Sequence, residues 1–326
     1  MKSRFLLPGL LALALCGAPC VSASYLQHAE IPDYLAELQN EHGFKGTDLR
    51  RWFSAAERKQ SIIDAISRPA ERVLEWKDYR KIFIQPQRIV DGVAFWQRNA
   101  DALARASKRF GVAPEYIVAI IGVETRYGKY MGNYRVLDAL STLAFDYPPR
   151  AKFFRKELTQ YLLLAREEGV DPLELVGSYA GAMGYGQFIP SSFREYAIDF
   201  TGDGRRDILT NETDAIGSVA NYLARHGWRN EADVIVPVAV TSPGIDELAN
   251  ETLKLTHKVG DLRARGLEVP QSVADDASGA LFRMQADAGV QYWLGLNDFY
   301  SITRYNHSSM YALAVYQLAG QIRRAR

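Results

Sequence analysis

A glutamate at the end of an apolar helix is the residue of this sequence best placed to transfer a proton. Pro114 suits the first turn of a helix and Gly128 can end one, so the run between them predicts a helix that ends near Arg126. Residues three and four apart share a helix face, so Glu124 lies on one stripe with three isoleucines, Ile117, Ile120 and Ile121. Burial raises the pKa of a carboxyl, and Glu124 can then act as a general acid near neutral pH.

A structural ion pair is the alternative interpretation of this glutamate. Arg126 and Arg135 both lie close enough along the chain to pair with Glu124. Ion pairs that only support the fold also perturb pKa values. Periodicity alone therefore leaves both interpretations of Glu124 open.

Glycines alternate with aromatic and polar side chains in residues 177–192. Glycine lets a backbone approach a ligand or another segment closely, and aromatic rings stack on sugar faces. The run includes Ser178, Tyr185 and Gln187 among its glycines, which favours the wall of a binding groove. Tight helix packing through small residues is the alternative.

Residues 199–210 resemble the first part of a calcium-binding loop. Asp199, Thr201 and Asp203 occupy relative positions one, three and five, a glycine follows at six, and Arg205 offers its carbonyl at seven. Position twelve is a threonine, which cannot give a bidentate carboxylate, but Asp214 from the following helix could replace it. The alternative is a turn whose aspartates cap that helix.

The overall charge gives no reason to expect a nucleic-acid partner. The 326 residues include 39 lysines and arginines against 38 aspartates and glutamates, a formal net charge of +1. Nucleic-acid binders usually carry a strongly basic face. With 48% hydrophobic and 24% charged residues, the chain has the composition of a globular protein of one to three domains.

Residues 1–23 have the parts of a secretory signal peptide. Lys2 and Arg4 precede an apolar run, and residues 21–23 match a small-residue cleavage site. We therefore expect a mature chain that begins at Ser24 and is soluble in the periplasm. The run is short for an uncleaved membrane anchor, and Pro8 interrupts it.

A lipoprotein is the other possibility for this N-terminus. Residues 13–17 loosely match a lipobox, so acylation at Cys16 would make an outer-membrane lipoprotein, although Leu15 is bulky for that motif. Cys16 and Cys20 are the two cysteines of the chain. Removal of the segment leaves no cysteine, which suits a periplasmic enzyme stabilised by its core rather than by disulfides.

Three motifs together resemble the lytic murein transglycosylase B family. They are residues 123–128 around Glu124, the glycine-rich residues 181–188, and residues 304–308, and the resemblance covers essentially the whole mature chain. Members of this family cleave the glycan strands of bacterial peptidoglycan and have a lysozyme-like core. The resemblance implies that Glu124 is the single catalytic acid/base and that catalysis needs no cofactor. It also implies a loop comparable to residues 199–210, and hence a structural calcium ion.

The resemblance implies further substrate contacts. Ser178 and Gln187 match polar residues near the cleaved bond, and Gln187 is a candidate to orient the substrate acetamido group or the Glu124 carboxyl. Asn306 matches a polar neighbour of the site. Four tyrosines match groove residues: Tyr79, Tyr222, Tyr305 and Tyr311. The family often has two arginines after Tyr-Pro, whereas this chain has Pro149-Arg150, so Arg150 is the matching contact at that end.

Most glycosidases use two carboxylates that flank the scissile bond. Four further acids are available in the core, but none of them lies on an apolar stripe, so we interpret each as a solvated or capping residue: Asp138, Asp146, Glu157 and Glu174. The five histidines have no metal-ligand spacing and are assigned no role.

The predicted fold is mainly α (α+β). We expect an N-terminal helical domain over residues 24–110, a lysozyme-like core with the calcium-type loop over 111–230, a small β-rich insert over 231–295, and a segment returning to the groove over 296–326. The insert follows from β-branched residues at 234–240 and alternation at 252–259 and 280–284. Helices are predicted at residues 151–168 and 306–326.

The predicted activity is cleavage of the β-1,4 bond after N-acetylmuramic acid with formation of a 1,6-anhydro sugar. The rival enzyme is a lysozyme-type hydrolase, in which water attacks instead. A glycan-binding module without catalytic activity is the rival from another class. We expect the chain to be a monomer and to bind peptidoglycan strands. Proteins of cell-wall synthesis or division are further candidate partners.

Overall fold

A computed structural model of the chain describes residues 24–68 and 74–326. The predicted signal peptide and Cys16 lie outside the described residues. Fourteen α-helices occur in the described part of the chain. The first seven are α1 (Ile31–His42), α2 (Gly46–Ala55), α3 (Gln60–Ile66), α4 (Trp76–Phe83), α5 (Pro86–Arg98), α6 (Ala100–Phe110) and α7 (Pro114–Thr125). The others are α8 (Val136–Phe145), α9 (Ala151–Glu168), α10 (Pro190–Tyr196), α11 (Glu212–Arg225), α12 (Val259–Ala264), α13 (Asn297–Tyr305) and α14 (Ser309–Ala325).

Strands form two antiparallel sheets. The smaller sheet pairs β1 (Tyr134–Arg135) with β2 (Val176–Gly177). The larger has the order β4-β6-β7-β3-β5, with β3 (Ile235–Val240), β4 (His257–Lys258), β5 (Leu267–Glu268), β6 (Ser278–Ala286) and β7 (Gly289–Gly295). The structure is therefore mainly helical with a small β-rich part, as predicted.

The larger sheet packs on the helices with one face. Side chains of a strand alternate between the two faces of its sheet. Along β6, Phe282 and Met284 join the core of the helices, whereas Leu281, the residue before Phe282, faces a separate small core within residues 236–296. The Phe282 ring lies 5.3 Å from that of Phe299 on α13. This alternation attaches the insert to the helical part.

Two larger hydrophobic cores divide the helices. One unites α4–α7 with α11, α13 and α14, and the other unites α1–α3 with α8–α10. The helices predicted as one N-terminal domain therefore contribute to both cores, and the domain boundaries remain a prediction. Helix α7 packs mainly against α14, α5, α11 and α6, which places Glu124 among the helices of the first core.

One predicted strand is largely absent. Of residues 252–259, only His257–Lys258 pairs in the sheet, with Gly279 and Ser278 of β6. Leu253 and Leu255 instead pack from a loop against the helical core. The alternation of apolar residues therefore reflects the way in which a loop covers the core, not a half-buried strand.

Candidate active site

Helix α7 ends close to Arg126, as the sequence predicts, but Arg126 itself and not Gly128 caps it. Its last helical residue is Thr125, and Arg126 caps it in the left-handed conformation with φ 51°. Tyr127 and Gly128 continue with positive φ. A non-glycine residue in this region carries backbone strain, and here the strained turn follows directly after Glu124.

Helix α7 does not have the single apolar stripe that the sequence predicts around Glu124. Ile117, Ile120 and Ile121 are fully buried, but so are Val118 and other residues on every side of α7. The helix is thus a central helix, buried all round. Glu124 is only partly buried, and it lies one residue before the end of the helix at Thr125.

A tyrosine from the C-terminal helix binds the Glu124 carboxyl. The Tyr311 hydroxyl donates to Oε1 of Glu124 over 2.6 Å. Burial raises the pKa of Tyr311 well above its usual range, and the charge of Glu124 and this hydrogen bond raise it further. Tyr79 on α4 also acts electrostatically on Tyr311. Tyr311 therefore stays protonated and remains a donor.

Tyr305 is another tyrosine whose pKa depends on the charge of Glu124. Burial and the charge of Glu124 raise the pKa of Tyr305 well above its usual value. Its hydroxyl donates to the carbonyl of Gly186 over 2.6 Å. This contact connects the end of α13 to the glycine-rich segment.

The two arginines considered as ion-pair partners of Glu124 have other partners. Arg135 binds Asp138 over 2.6 Å, and Nε of Arg126 lies 3.5 Å from Oδ2 of Asp91.

The other core carboxylates have structural contacts or are exposed. Asp138 accepts the backbone N–H of Glu57 in addition to Arg135. Asp146 accepts from Tyr25 and Arg58, and Glu157 accepts the N–H of Ser191. Glu174 is exposed. The expectation of solvated or capping residues is wrong for Asp138 and Glu157, which are buried and hold neighbouring segments together through these contacts.

A groove of about 850 Å³ brings together five of the predicted substrate contacts, and we call it the first groove. The five lining residues are Arg150, Gln187, Tyr222, Tyr305 and Asn306. Glu124, Ser178, Tyr79 and Tyr311 are not among its lining residues. Tyr305 lines the first groove, and the charge of Glu124 contributes to the raised pKa of Tyr305.

Gln187 and Ser178 shape the glycine-rich segment. Nε2 of Gln187 donates to the carbonyls of Met131 and Gly184 over 3.2 and 3.0 Å, and its φ is 49°. Oγ of Ser178 accepts the N–H groups of Ala180 and Ala182. Both side chains thus hold backbone in place, and the Gln187 amide is not free to turn towards a substrate without breaking these contacts.

Arg150 lies against aromatic rings at one end of the first groove. Its guanidinium stands 4.4 Å from the Phe153 ring centroid and 5.0 Å from that of Phe154. The side chain is exposed. An arginine stacked in this way keeps its N–H groups available for an anionic or polar ligand.

His226 is a groove residue that sequence reasoning missed. It lines the first groove, and its ring stacks on Tyr222 with centroids 4.0 Å apart. Burial lowers the pKa of His226, as do Arg304 and Arg225, against the opposing effect of the Tyr222 carbonyl. The four-residue spacing from Tyr222 on one helix was the available signal.

The predicted calcium ligands come together in space. Asp199, Asp203 and Asp214 offer carboxylate oxygens within 4.8 Å of one another. Asp214 is fully buried and reaches back into the loop, where it accepts the N–H groups of Phe200 and Thr201. The Thr201 hydroxyl donates to Asp199 and Asp214.

The contacts of the other loop residues bear on the alternative interpretation, a turn whose aspartates cap the following helix. Asn211, not an aspartate of the loop, caps α11 with its side chain. Thr210 bonds Asp207 and does not join the three carboxylates. Asp199 accepts the N–H of Gly204, which lowers the pKa of that carboxyl. The N–H of Arg205 donates to Asp203.

Comparison with known proteins places these features in a family. The family model for the transglycosylase SLT domain matches residues 27–320. The chain is 43% identical over 315 residues to membrane-bound lytic murein transglycosylase B of Escherichia coli, covering 94% of this chain and 86% of the relative.

Solved structures are similar over nearly the whole chain. The crystal structure of soluble lytic transglycosylase SltB1 from Pseudomonas aeruginosa has a TM-score of 0.87 and 54% identity, covering 91% of this chain and 99% of that one. The Escherichia coli lytic transglycosylase Slt35 in complex with calcium has a TM-score of 0.85 and 44% identity, covering 93% and 95%. The chain belongs to the family of proteins with a transglycosylase SLT domain, as its three motifs predicted.

Proposed function

We propose that this chain is a peptidoglycan lytic transglycosylase in which Glu124 is the single acid/base. The observation that carries the proposal is the Glu124 carboxyl, which accepts a hydrogen bond from Tyr311 and acts electrostatically on Tyr305 of the first groove. A pure binding module has no need of an oriented carboxyl at this position. Membership of a family of transglycosylases supports the same activity.

The first step is the cleavage of the glycosidic bond. Protonated Glu124 gives its proton to the glycosidic oxygen that leaves C1 of N-acetylmuramic acid, and the C1–O bond breaks. The electron pair stays on the departing oxygen, and the positive charge on C1 is met by the neighbouring acetamido oxygen or carried as an oxocarbenium ion. The Tyr311 hydroxyl donates to the carboxylate that remains, because a hydrogen bond to the ionised form stabilises it.

The second step forms the anhydro ring. The Glu124 carboxylate removes the proton of the C6 hydroxyl on the same sugar, and that oxygen forms a bond to C1. Glu124 is thereby protonated again, and no water is consumed. A second carboxylate is not needed, in keeping with the structural contacts of Asp138, Asp146 and Glu157.

The products of the reaction test the proposal against hydrolysis and against mere binding. Wild-type protein incubated with peptidoglycan should release muropeptides lighter by one water than those of a lysozyme. Glu124→Gln keeps the side-chain volume and removes the transferable proton, so it should bind peptidoglycan without releasing product. Glu115→Gln, at the other end of the same helix, is the matched control and should retain activity. Products without the anhydro mass, or near-normal turnover by Glu124→Gln, contradict the assignment.

We further propose one structural calcium ion in residues 199–214. Hard cations such as calcium bind carboxylate, hydroxyl and carbonyl oxygens. The loop offers the carboxylates of Asp199, Asp203 and Asp214 and the hydroxyl of Thr201 as ligands. Arg205 would add its carbonyl. Slt35, at 44% identity, has been solved in complex with calcium. The loop follows Glu124 at a distance along the chain, and no acid/base step requires the metal.

Peptidoglycan, the proposed substrate, lies in the cell envelope, so we expect the chain to be located there. No helix of the described residues is both long and apolar enough to cross a membrane. The Escherichia coli relative is described as membrane-bound, and SltB1 as soluble. We keep the soluble periplasmic form as our proposal, and N-terminal sequencing of the exported protein tests it: a mature end at Ser24 supports it, and an acylated Cys16 shows the lipoprotein instead.

A further inference from the structure

A single buried hydroxyl joins three segments of the chain next to Glu124. Thr125, the residue after Glu124, is only 1% exposed. Its Oγ1 lies 2.9 Å from the carbonyl oxygen of Tyr185 in the glycine-rich segment and 3.1 Å from that of Ile121, one turn earlier in α7. The same oxygen accepts the backbone N–H of Gly128 over 3.0 Å. The hydroxyl therefore connects the last turn of α7, the turn that follows it, and the glycine-rich segment.

The contact with the Tyr185 carbonyl is more than a helical threonine ordinarily makes. A threonine in a helix commonly donates to the carbonyl four residues earlier, and the contact with Ile121 is of this kind. Tyr185 is 60 positions away from Thr125, and its carbonyl oxygen is the nearer of the two. A hydroxyl has one proton to donate, so Thr125 shares it between its own helix and a distant segment.

The next carbonyl of the glycine-rich segment is held by a second hydroxyl. The Tyr305 hydroxyl donates to the carbonyl of Gly186 over 2.6 Å, and the charge of Glu124 acts on Tyr305. Two consecutive carbonyls, at positions 185 and 186, thus accept hydrogen bonds from Thr125 and Tyr305. Gln187, which lines the first groove, follows directly in the chain. The two contacts therefore fix the backbone immediately before a groove residue.

The strained turn after α7 is held by the same hydroxyl. Arg126 and Tyr127 have positive φ, 51° and 59°, which strains the backbone of a non-glycine residue. Thr125 accepts the N–H of Gly128 across this turn. A Cβ added at Gly128 would meet the ring of Tyr185 at 2.4 Å, so the turn and the glycine-rich segment are in close contact. Loss of the hydroxyl would therefore loosen both of them at once.

We propose that Thr125 is a positioning residue, which fixes the place of the Glu124 carboxyl relative to the glycine-rich segment. The inference rests on the proposed function, in which Glu124 must reach first the glycosidic oxygen and then the C6 hydroxyl of the same sugar. A misplacement of reacting groups by about 1 Å can cost roughly 100-fold in rate. Thr125 transfers no proton itself. It acts through the backbone that it shares with Glu124 and through the Tyr185 carbonyl.

The test removes this hydroxyl in one variant and keeps it in another. Thr125→Val preserves the branched shape but deprives the Gly128 N–H and the Tyr185 carbonyl of their contact with Oγ1. Thr125→Ser keeps the hydroxyl and removes only the methyl group. Thr142→Val is the matched control, because Thr142 on α8 is also fully buried and its hydroxyl accepts the backbone N–H of Lys59 over 3.1 Å. Helix α8 belongs to the other core of helices.

The release of muropeptides at increasing peptidoglycan concentration gives kcat and KM for each variant. We expect Thr125→Val to lower kcat by about 10- to 100-fold per folded molecule and to leave KM nearly unchanged, since the placement of the acid affects the transition state more than binding. Thr125→Ser should keep most of the wild-type kcat. Thr142→Val should keep all of it, even if both valine variants melt at a lower temperature. The alkaline limb of the kcat profile should stay in place in Thr125→Val, because the hydroxyl contacts backbone groups.

Several results would overturn the inference and leave the proposed function intact. They are a wild-type kcat in Thr125→Val, a loss in Thr125→Ser as large as in Thr125→Val, and an equal loss in Thr142→Val. A shifted alkaline limb would mean that Thr125 alters the pKa of Glu124 and not its place. If Thr125→Val fails to fold, Thr125→Ala replaces it, because alanine removes the same hydroxyl and is favourable in a helix. Failure of the proposed function would appear instead as turnover by Glu124→Gln or as products without the anhydro mass.

Discussion

The Tyr311 hydroxyl donates to Oε1 of Glu124 over 2.6 Å, although the two residues are 187 positions apart in the chain. The protonation of the two groups is linked, since the charge of Glu124 contributes to the raised pKa of Tyr311. The neutral Tyr311 hydroxyl favours the ionised carboxylate, because it donates a hydrogen bond to Oε1. Tyr311 thus acts directly on the carboxyl of Glu124, the acid/base in our proposal.

Tyr311→Phe should lower kcat and move the pH profile. A hydrogen bond to a charged group is worth roughly 1.5–3 kcal/mol, so we expect a loss of about 10- to 100-fold. Without this donor the carboxylate is less favoured, Glu124 keeps its proton to higher pH, and the alkaline limb of the kcat profile shifts upwards. Rates of product release measured across pH check this.

Tyr305→Phe is the control for the shift in the profile. The Tyr305 hydroxyl donates to the carbonyl of Gly186, not to Glu124. Its loss should leave the alkaline limb in place even if turnover changes. An equal shift in both variants would show that the Tyr311 contact has no specific effect on Glu124.

Gly132→Ala should destabilise the protein through a backbone clash beside the glycine-rich segment. Gly132 has φ 90°, and an added Cβ would meet the carbonyl oxygen of Gly177 at 2.1 Å. We expect a loss of about 1–3 kcal/mol beyond the cost of the left-handed conformation, because neither backbone can move freely. Urea denaturation measures the free energy of unfolding.

Gly169→Ala separates the clash from the conformational cost. Gly169 also has positive φ, 67°, but an added Cβ there meets nothing within 4 Å. This variant should lose only the roughly 1–2 kcal/mol of a left-handed residue. Equal losses in the two variants would mean that the Gly132 contact contributes nothing.

His226 should make the protein less stable as the pH falls. Burial and the nearby arginines lower its pKa in the folded state, so the unfolded chain binds a proton at a higher pH than the folded one. Stability is therefore complete above ~6.5 and declines as the pH falls from there towards the folded-state pKa. Because the ring is partly exposed, we expect a contribution under about 1 kcal/mol.

Melting curves between neutral and mildly acidic pH measure this contribution. His226→Gln should flatten the pH dependence of the melting temperature, and His42→Gln on α1, outside the first groove, should leave the slope as in wild type. A wild-type slope in His226→Gln would show that the stacked ring does not titrate with the fold.

Local sequence patterns predicted the helices most reliably. Helix α9 spans residues 151–168 as predicted, because two prolines precede it and Gly169 ends it in the left-handed conformation. The start of α7 follows from Pro114 in the same way. Each of these limits depends on residues next to it in the chain, which is why the sequence alone can predict them.

Contacts between distant segments could not be predicted from such patterns. The stripe of isoleucines does not distinguish Glu124, because α7 is buried on all sides. The pairing of Glu124 with Tyr311, the stacking of His226 on Tyr222, and the packing of Leu253 from a loop all depend on how the helices pack. The family resemblance placed Tyr311 in the groove, but it did not predict the contact of its hydroxyl with Glu124.

Calcium should stabilise the fold through residues 199–214. Gly204, with φ 90°, lets the loop turn so that the carboxylates of Asp199, Asp203 and Asp214 face one point. With no glutamate at position twelve, we expect weak affinity, about 10⁻⁴–10⁻³ M, as in extracellular calcium modules. A ligand at ten times its Kd stabilises the folded state by ~1.4 kcal/mol, so the melting temperature should rise by a few degrees.

Melting curves with calcium, magnesium and a chelator test this prediction in three proteins. Wild type should shift with calcium more than with magnesium, since magnesium demands stricter octahedral geometry. Asp203→Ala removes one exposed carboxylate of the cluster and should abolish the shift, whereas Asp276→Ala, exposed in the insert, should keep it. Activity per folded molecule should be the same with calcium and with chelator, because the role that we propose for the ion is structural. A wild type that does not respond to calcium, or an Asp203→Ala that responds as fully as wild type, would identify the loop as an aspartate turn that binds no metal.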